Sequence, residues 1–251
     1  MSTKLKHKVC IVTGATSGMG KAIATSFVSQ GAQVVLSGRN EERGSSLAKE
    51  LGENAFFLSG DVSLPEYNDQ LVKKAIEHFG KLDIVSMNAG ILGLGNVTDL
   101  PLELWKNTMD INLSSLFYLS KYAIPELQKN EGSSMLINAS IAALKSFPNH
   151  PAYCASKAGS LALMRQMAVE YAPKIRVNAI CPGPVDTPLL WDSAKAFKEP
   201  KIAVQNAANT TLLKRLGKPT DIANLALFLV SEEASWITGT AMTIDGGILN
   251  A

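Results

Sequence analysis

Short runs of β-branched and apolar residues recur along this chain, separated by longer stretches with helical periodicity. The runs are Val9–Thr13, Gln33–Ser37, Ala55–Leu58, Leu82–Met87, Ser134–Ala139, Arg176–Cys181 and Ala241–Ile244. Between them lie Lys21–Gln30, Glu41–Leu51, Glu66–Phe79, Leu102–Leu127, Ala152–Tyr171 and Asp221–Leu229. A run that is apolar at every position belongs to a strand buried on both faces, and such strands alternating with helices make βαβ units. The pattern predicts an α/β fold: a Rossmann-like, doubly wound parallel sheet of about seven strands with helices on both faces. No composition break or repeat divides the chain, so one domain is expected over residues 1–251. Only Thr187 to Arg215, interrupted by Pro188 and Pro200, lacks a clean period. A long loop within a compact α/β domain is usually functional, and a substrate lid at 187–215 is expected.

Composition narrows the function. The chain carries 24 Lys and Arg against 22 Asp and Glu, a net charge of +2, which argues against a nucleic-acid or membrane-surface partner. Lys4, Lys6 and Lys8 read as a solvated tail. Cys10, Cys154 and Cys181 are odd in number and far apart, and no metal-ligand spacing occurs, so neither a disulfide framework nor a metal is expected. The apolar run before Gly14 is too short for a signal-peptide core, and nothing approaches the roughly 18 apolar residues of a membrane span. A reducing cytoplasm is the expected location.

The first strand ends in Thr13-Gly14-Ala15-Thr16-Ser17-Gly18-Met19-Gly20, and a helix follows. Glycines at such a turn admit positive φ, let a pyrophosphate approach the backbone and let the helix pack on the strand. The free N–H groups of the helix N-terminus then face the phosphates. The spacing is G-x-x-x-G-x-G rather than G-x-G-x-x-G. With 19 glycines it arises by chance about 0.1 times in such a chain, so the strand–helix context carries much of the weight.

A dinucleotide site places its ribose reader about 20 residues further on, at the end of the second strand. There the chain reads Ser37-Gly38-Arg39-Asn40, with an arginine and no carboxylate. A guanidinium favours the 2′-phosphate of NADP over the free hydroxyl of NAD. Glu41 and Glu42 belong to the first turn of the next helix, where acids suit its dipole.

Tyr153 and Lys157 stand four apart at the start of a predicted helix and so share a face. A phenol with a pKa near 10 exchanges protons poorly at neutral pH, and a nearby ammonium favours the phenolate and lowers that value. Such pairs arise by chance about 0.4 times in a chain with these tyrosine and lysine counts, so context must support the pair. Ser140 closes the run Met135–Ala139 and sits at the strand's C-terminal end, the edge where open α/β sheets bind ligands.

Taken together these residues resemble the short-chain dehydrogenase/reductase family, in its branch of about 250 residues. The resemblance covers T-G-x-x-x-G-x-G at Thr13–Gly20, Asp61-Val62, Asn88-Ala89-Gly90, Asn112, Ser140, Tyr153 with Lys157, and Pro182-Gly183 with Thr187. It implies hydride transfer between NADP(H) and a ketone or secondary alcohol, with NAD(H) possible and a non-catalytic, cofactor-sensing regulator as the alternative. It implies that Tyr153 is the acid–base residue, that Lys157 lowers its pKa and grips the nicotinamide ribose, and that Ser140 bonds the substrate oxygen. Asn112 would hold a water linking Lys157 to solvent. For the cofactor it implies contacts from the turn of Gly14, Thr16, Ser17, Gly18, Met19 and Gly20, and from Arg39. Asp61 and Val62 would meet adenine, and Asn88, Ala89 and Gly90 would line the cofactor. Pro182, Gly183, Val185 and Thr187 would seat the carboxamide. Met87 and Ala139 depart from the family's frequent asparagine and serine without removing a required group.

Weaker signals complete the reading. His150 reads as a solvated loop histidine, and Cys154 as a small packing residue. Gly93–Leu104 and Leu189-Leu190-Trp191 through Phe197 are expected to wall a moderately apolar substrate pocket. The resemblance implies that the helices Leu102–Leu127 and Ala152–Tyr171 pair across a homotetramer.

Overall fold

The computed structural model describes residues 3–251. Its seven strands are β1 (Val9–Thr13), β2 (Gln33–Gly38), β3 (Ala55–Ser59), β4 (Ile84–Met87), β5 (Ser133–Asn138), β6 (Ile175–Pro182) and β7 (Ala241–Ile244). They form one parallel sheet in the order β3-β2-β1-β4-β5-β6-β7. The order reverses beside β1, so a crevice opens where the carboxyl ends of β1 and β4 diverge. That crevice locates the site.

Helices cover both faces, as burial on both sides of the strands requires. One core packs Ile23 and Phe27 of α1 (Gly18–Ser29) and Ile222 and Leu229 of α9 (Pro219–Val230) on the sheet, with α2 (Glu41–Leu51) beside them. The other buries Leu71 of α3 (Pro65–Phe79), Leu119 of α5 (Ser115–Leu127) and Met164 of α6 (Pro151–Tyr171). Asn40 caps α2 by accepting from the Arg43 N–H at 2.8 Å, and Glu41 and Glu42 lie in the first turn, as the sequence predicts.

Three elements differ from the sequence expectation. The predicted helix 102–127 is two helices, α4 (Leu102–Met109) and α5, joined by a π-helical turn over Asp110–Ser114. The segment 187–215 is no loop, for it contains α7 (Pro188–Ala194) and α8 (Pro200–Thr210). Pro188 and Pro200 do not interrupt these helices; they start them, at the position where a fixed φ helps and a missing N–H costs nothing. β4 begins at Ile84, two residues later than expected, and just ahead of it the buried Asp83 carboxylate accepts from the Val9 N–H at 2.8 Å and lies 3.0 Å from Lys81 Nζ.

Candidate active site

The turn between β1 and α1 shapes a cleft of about 950 Å3. Gly14 has φ +62, and a Cβ there would lie 2.9 Å from the Ala89 nitrogen. A Cβ on Gly20 would overlap the Gly14 carbonyl. Thr13 Oγ1 accepts from the Asn88 N–H at 3.0 Å and the Ala89 N–H at 3.3 Å, which ties the end of β1 to the end of β4. Ser17 is extended and gives α1 no side-chain cap, so the first-turn N–H groups remain available to an anion. Among the described residues three buried carboxamide oxygens have no partner, and two of them, Asn88 Oδ1 and Asn138 Oδ1, belong to residues that line the cleft. Buried polar atoms are rarely left unpaired. The residues present fit a dinucleotide: phosphates on α1, adenosine toward β2 and β3, and a polar ring beside the asparagines.

At the adenosine end Arg39 and Arg43 both line the cleft, and both are exposed. Arg39 follows β2 and Arg43 lies in the first turn of α2. Asp61 Oδ1 accepts from the Ser63 N–H at 2.9 Å, and Val62 is buried beside it.

The second group of residues gathers at the end of β5. Ser140 follows the strand, and its Oγ accepts from the Ala142 N–H at 3.0 Å. Tyr153 lies in the first turn of α6, with Lys157 one turn on. Lys157 Nζ is buried, donates to the Asn138 carbonyl at 2.7 Å and lies 5.7 Å from the centre of the Tyr153 ring. Burial pushes the Tyr153 phenol up to about 12, opposed by the Ser140 hydroxyl it faces. Burial also lowers Lys157 to about 8. The sequence expectation placed the phenol below its ordinary value. The shift runs the other way because Nζ faces the Asn138 carbonyl and the ring, and desolvation dominates.

Asn112 sits in the π turn, where the Ser115 N–H reaches back to Asp110 O. Its Oδ1 accepts from the Ile91 N–H at 2.8 Å, and its Nδ2 donates to Ile91 O at 2.8 Å and Ser156 Oγ at 3.0 Å. The side chain is therefore a brace between the loop after β4 and α6. A bound water would have to use the main-chain carbonyl, which receives only a 3.4 Å contact from Ser160 Oγ.

Beside Tyr153 lies a mostly apolar pocket of about 230 Å3, walled by Leu92, Ile141, Val185, Leu189, Leu190 and Phe197 among others. The Gly183 N–H bonds Ile244 O at 3.0 Å, and Thr187 Oγ1 donates to Val185 O at 3.2 Å, so the 182–187 segment is anchored between β7 and α7.

A model of the enoyl-(acyl carrier protein) reductase family matches residues 14–249. The 7α-hydroxysteroid dehydrogenase of Escherichia coli K12 is 38% identical over 248 residues, spanning 97% of this chain and 95% of its own. The chain belongs to the short-chain dehydrogenase/reductase family. It is an oxidoreductase of that family, whose dehydrogenases use NAD(H) or NADP(H). The cyclohexanol dehydrogenase of Acinetobacter sp. SE19 is 36% identical, covering 98% of this chain and 96% of its own. The solved aldohexose dehydrogenase of Thermoplasma acidophilum superposes with a TM-score of 0.92 at 30% identity, over 100% of this chain and 97% of its own.

Within this short-chain dehydrogenase/reductase the cleft and the pocket bring together nearly every residue singled out from the sequence, including the Gly14–Gly20 turn, Arg39, Asp61, Val62, Asn88–Gly90, Ser140, Tyr153 and Thr187. Two side chains stand elsewhere than expected. His150 is buried rather than solvated, with Nδ1 2.6 Å from Pro148 O, Nε2 2.8 Å from Ser193 Oγ, and its ring edge-on to Tyr153. Trp191 leaves the pocket and donates its indole N–H to Asp186 Oδ1 at 2.9 Å. At Gly38, before Arg39, a Cβ would lie 2.6 Å from Thr16 Cγ2, so the threonine methyl packs over the glycine. Sequence reasoning missed Arg43 and Asn138. The spacing of Arg43 from Arg39 was visible, whereas the unpartnered oxygen of Asn138 is visible only in three dimensions.

Proposed function

We propose that the protein transfers a hydride between NADP(H) and a ketone or secondary alcohol, with Tyr153 as the acid–base residue. The observation that carries this is the position of Tyr153, which shares the 230 Å3 apolar pocket with Ser140 while its neighbour Lys157 bonds the carbonyl of cleft-lining Asn138. When bound, the nicotinamide supplies or accepts the hydride. Tyr153, held neutral far above pH 7, gives its proton to the carbonyl oxygen during reduction, and Ser140 donates a second hydrogen bond to that oxygen. Lys157 carries an ammonium below about pH 8, placed to hold the ribose and to feed protons toward Tyr153 Oη. Asn112 braces α6 so that both side chains keep this geometry, and its main-chain carbonyl serves any water relay.

Arg39 and Arg43 support NADP(H) over NAD(H), since two guanidiniums and no competing carboxylate at the end of β2 suit a 2′-phosphate. The relatives named for hydroxysteroid, cyclohexanol and aldohexose oxidation support a secondary alcohol as the substrate class. Residues 1–251 are read as one dinucleotide-binding and catalytic domain, with 187–215 as a helical lid over the pocket. Exposed Phe117 and Val169 on α5 and α6 support the homotetramer, and three unpaired cysteines suit the cytoplasm. The test is to mix the protein with NADPH or NADH and a panel of cyclic and acyclic ketones and to follow the absorbance of the reduced nicotinamide. Turnover that is faster with NADPH is the expected result, and no turnover with either cofactor would overturn the proposal.

A further inference from the structure

The pocket beside Tyr153 has no Asp, Glu, Lys or Arg in its wall. Apart from Ser140, Tyr153 and Thr187, its polar side chains are His150 and Ser193. At native packing density, 230 Å3 holds a molecule of about ten non-hydrogen atoms. A neutral, compact substrate fits this space.

His150 is built into that wall. Asn149 takes the left-handed conformation at φ +61, which asparagine tolerates, and the Gly95 N–H anchors its carbonyl at 3.0 Å. Pro151 then starts α6. These constraints turn the imidazole inward, against Tyr153. The hydrogen positions follow from the partners. Pro148 O can only accept, so Nδ1 carries the proton, and in a neutral imidazole Nε2 then has only a lone pair. Ser193 must donate its Oγ–H to Nε2 at 2.8 Å. Its one hydrogen is spent, while lone pairs remain. The pair offers the pocket an acceptor and no donor.

We propose that the substrate carries, besides the reacting carbonyl or carbinol, a second hydroxyl that donates to the His150–Ser193 pair. This inference rests on the ketone–alcohol reading above and specifies its substrate. A hydroxyl satisfies the acceptor, whereas an ether or a second carbonyl brings another acceptor to a wall without a hydrogen to give.

The test compares kcat/KM for the NADPH-dependent reduction of cyclohexanone, of its 3- and 4-hydroxy derivatives and of the corresponding methyl ethers. At least one hydroxyketone is expected to exceed both cyclohexanone and its own ether by about tenfold or more, chiefly through KM. In His150→Phe the Ser193 hydrogen is freed, an ether can receive it, and the hydroxyl-to-ether ratio falls to within about threefold of unity. His150→Gln presents both a donor and an acceptor and reaches the same result while keeping a polar wall, should the phenylalanine variant fail to fold. A wild-type ratio within about threefold of unity, or a tenfold ratio that survives in a folded His150 variant, overturns the inference alone. No turnover of any of these ketones with either cofactor overturns the reading of the site and the inference with it.

Discussion

Replacing Arg39 by Ile and Arg43 by Ala tests the adenosine end of the cleft most directly. Both guanidiniums are exposed, so a charge-assisted contact from each is set at the low end of its range, about 1.5 kcal/mol. The pair then contributes about 3 kcal/mol toward a 2′-phosphate, or about 150-fold in NADPH affinity. NADH has no such phosphate, and its kcat/KM should stay within about threefold of wild type. The NADPH preference should also shrink toward 1 M salt, where the screening length falls to about 3 Å. Creating a preference for NADH needs a further change. Gly38→Asp sets a Cβ 2.6 Å from Thr16 Cγ2, so the glycine turn is disturbed and both cofactors should weaken. Removing that methyl with Thr16→Ala leaves the two Cβ atoms 3.5 Å apart, an ordinary contact. The triple variant Thr16→Ala/Gly38→Asp/Arg39→Ile should therefore prefer NADH. The assay is kcat/KM for both cofactors with one ketone. A wild type that prefers NADH, or a double variant that loses NADH and NADPH equally, would refute the reasoning.

Tyr153→Phe removes only the phenolic hydroxyl, so kcat should fall by about 10²–10⁴ while NADPH binding, read by fluorescence titration, is retained; a variant keeping more than about a tenth of wild-type kcat contradicts the assignment. Burial lowers Lys157 to about 8, so its charged form is held below that pH and lost above it, while Tyr153 at about 12 stays neutral throughout. Ketone reduction should accordingly be level below about pH 8 and fall above it, and a profile still level two units higher would count against the role given to Lys157. Asn112→Ala deletes three hydrogen bonds and leaves the Ile91 amide unpaired. The loss is about 2–3 kcal/mol, which lowers Tm by about 4–12 °C in a chain of this size, and an unchanged Tm would show the brace to be dispensable.

Local pattern was enough for the sheet, the glycine turn and the Tyr153–Lys157 pair, because each depends on spacing within one or two elements. Strands buried on both faces must be apolar throughout, a turn under a pyrophosphate must contain glycine, and residues four apart on a helix must share a face. From these followed the strand edge at which Ser140 stands, whereas the crevice between β1 and β4 came from the strand order of the folded sheet. The tertiary structure decided whatever depends on a partner distant in the chain. Asn112 is a brace because Ile91 and Ser156 come within reach of it. Gly38 is filled because Thr16, on another strand's turn, packs over it. His150 faces inward because Ser193 of α7 lies opposite, and 187–215 is helical because its prolines fall at helix starts that only packing on the pocket makes worthwhile. The direction of the Tyr153 shift was settled in the same way: the spacing placed an ammonium near a phenol, but Nζ turns to the Asn138 carbonyl, and burial, which no local pattern records, raises the phenol.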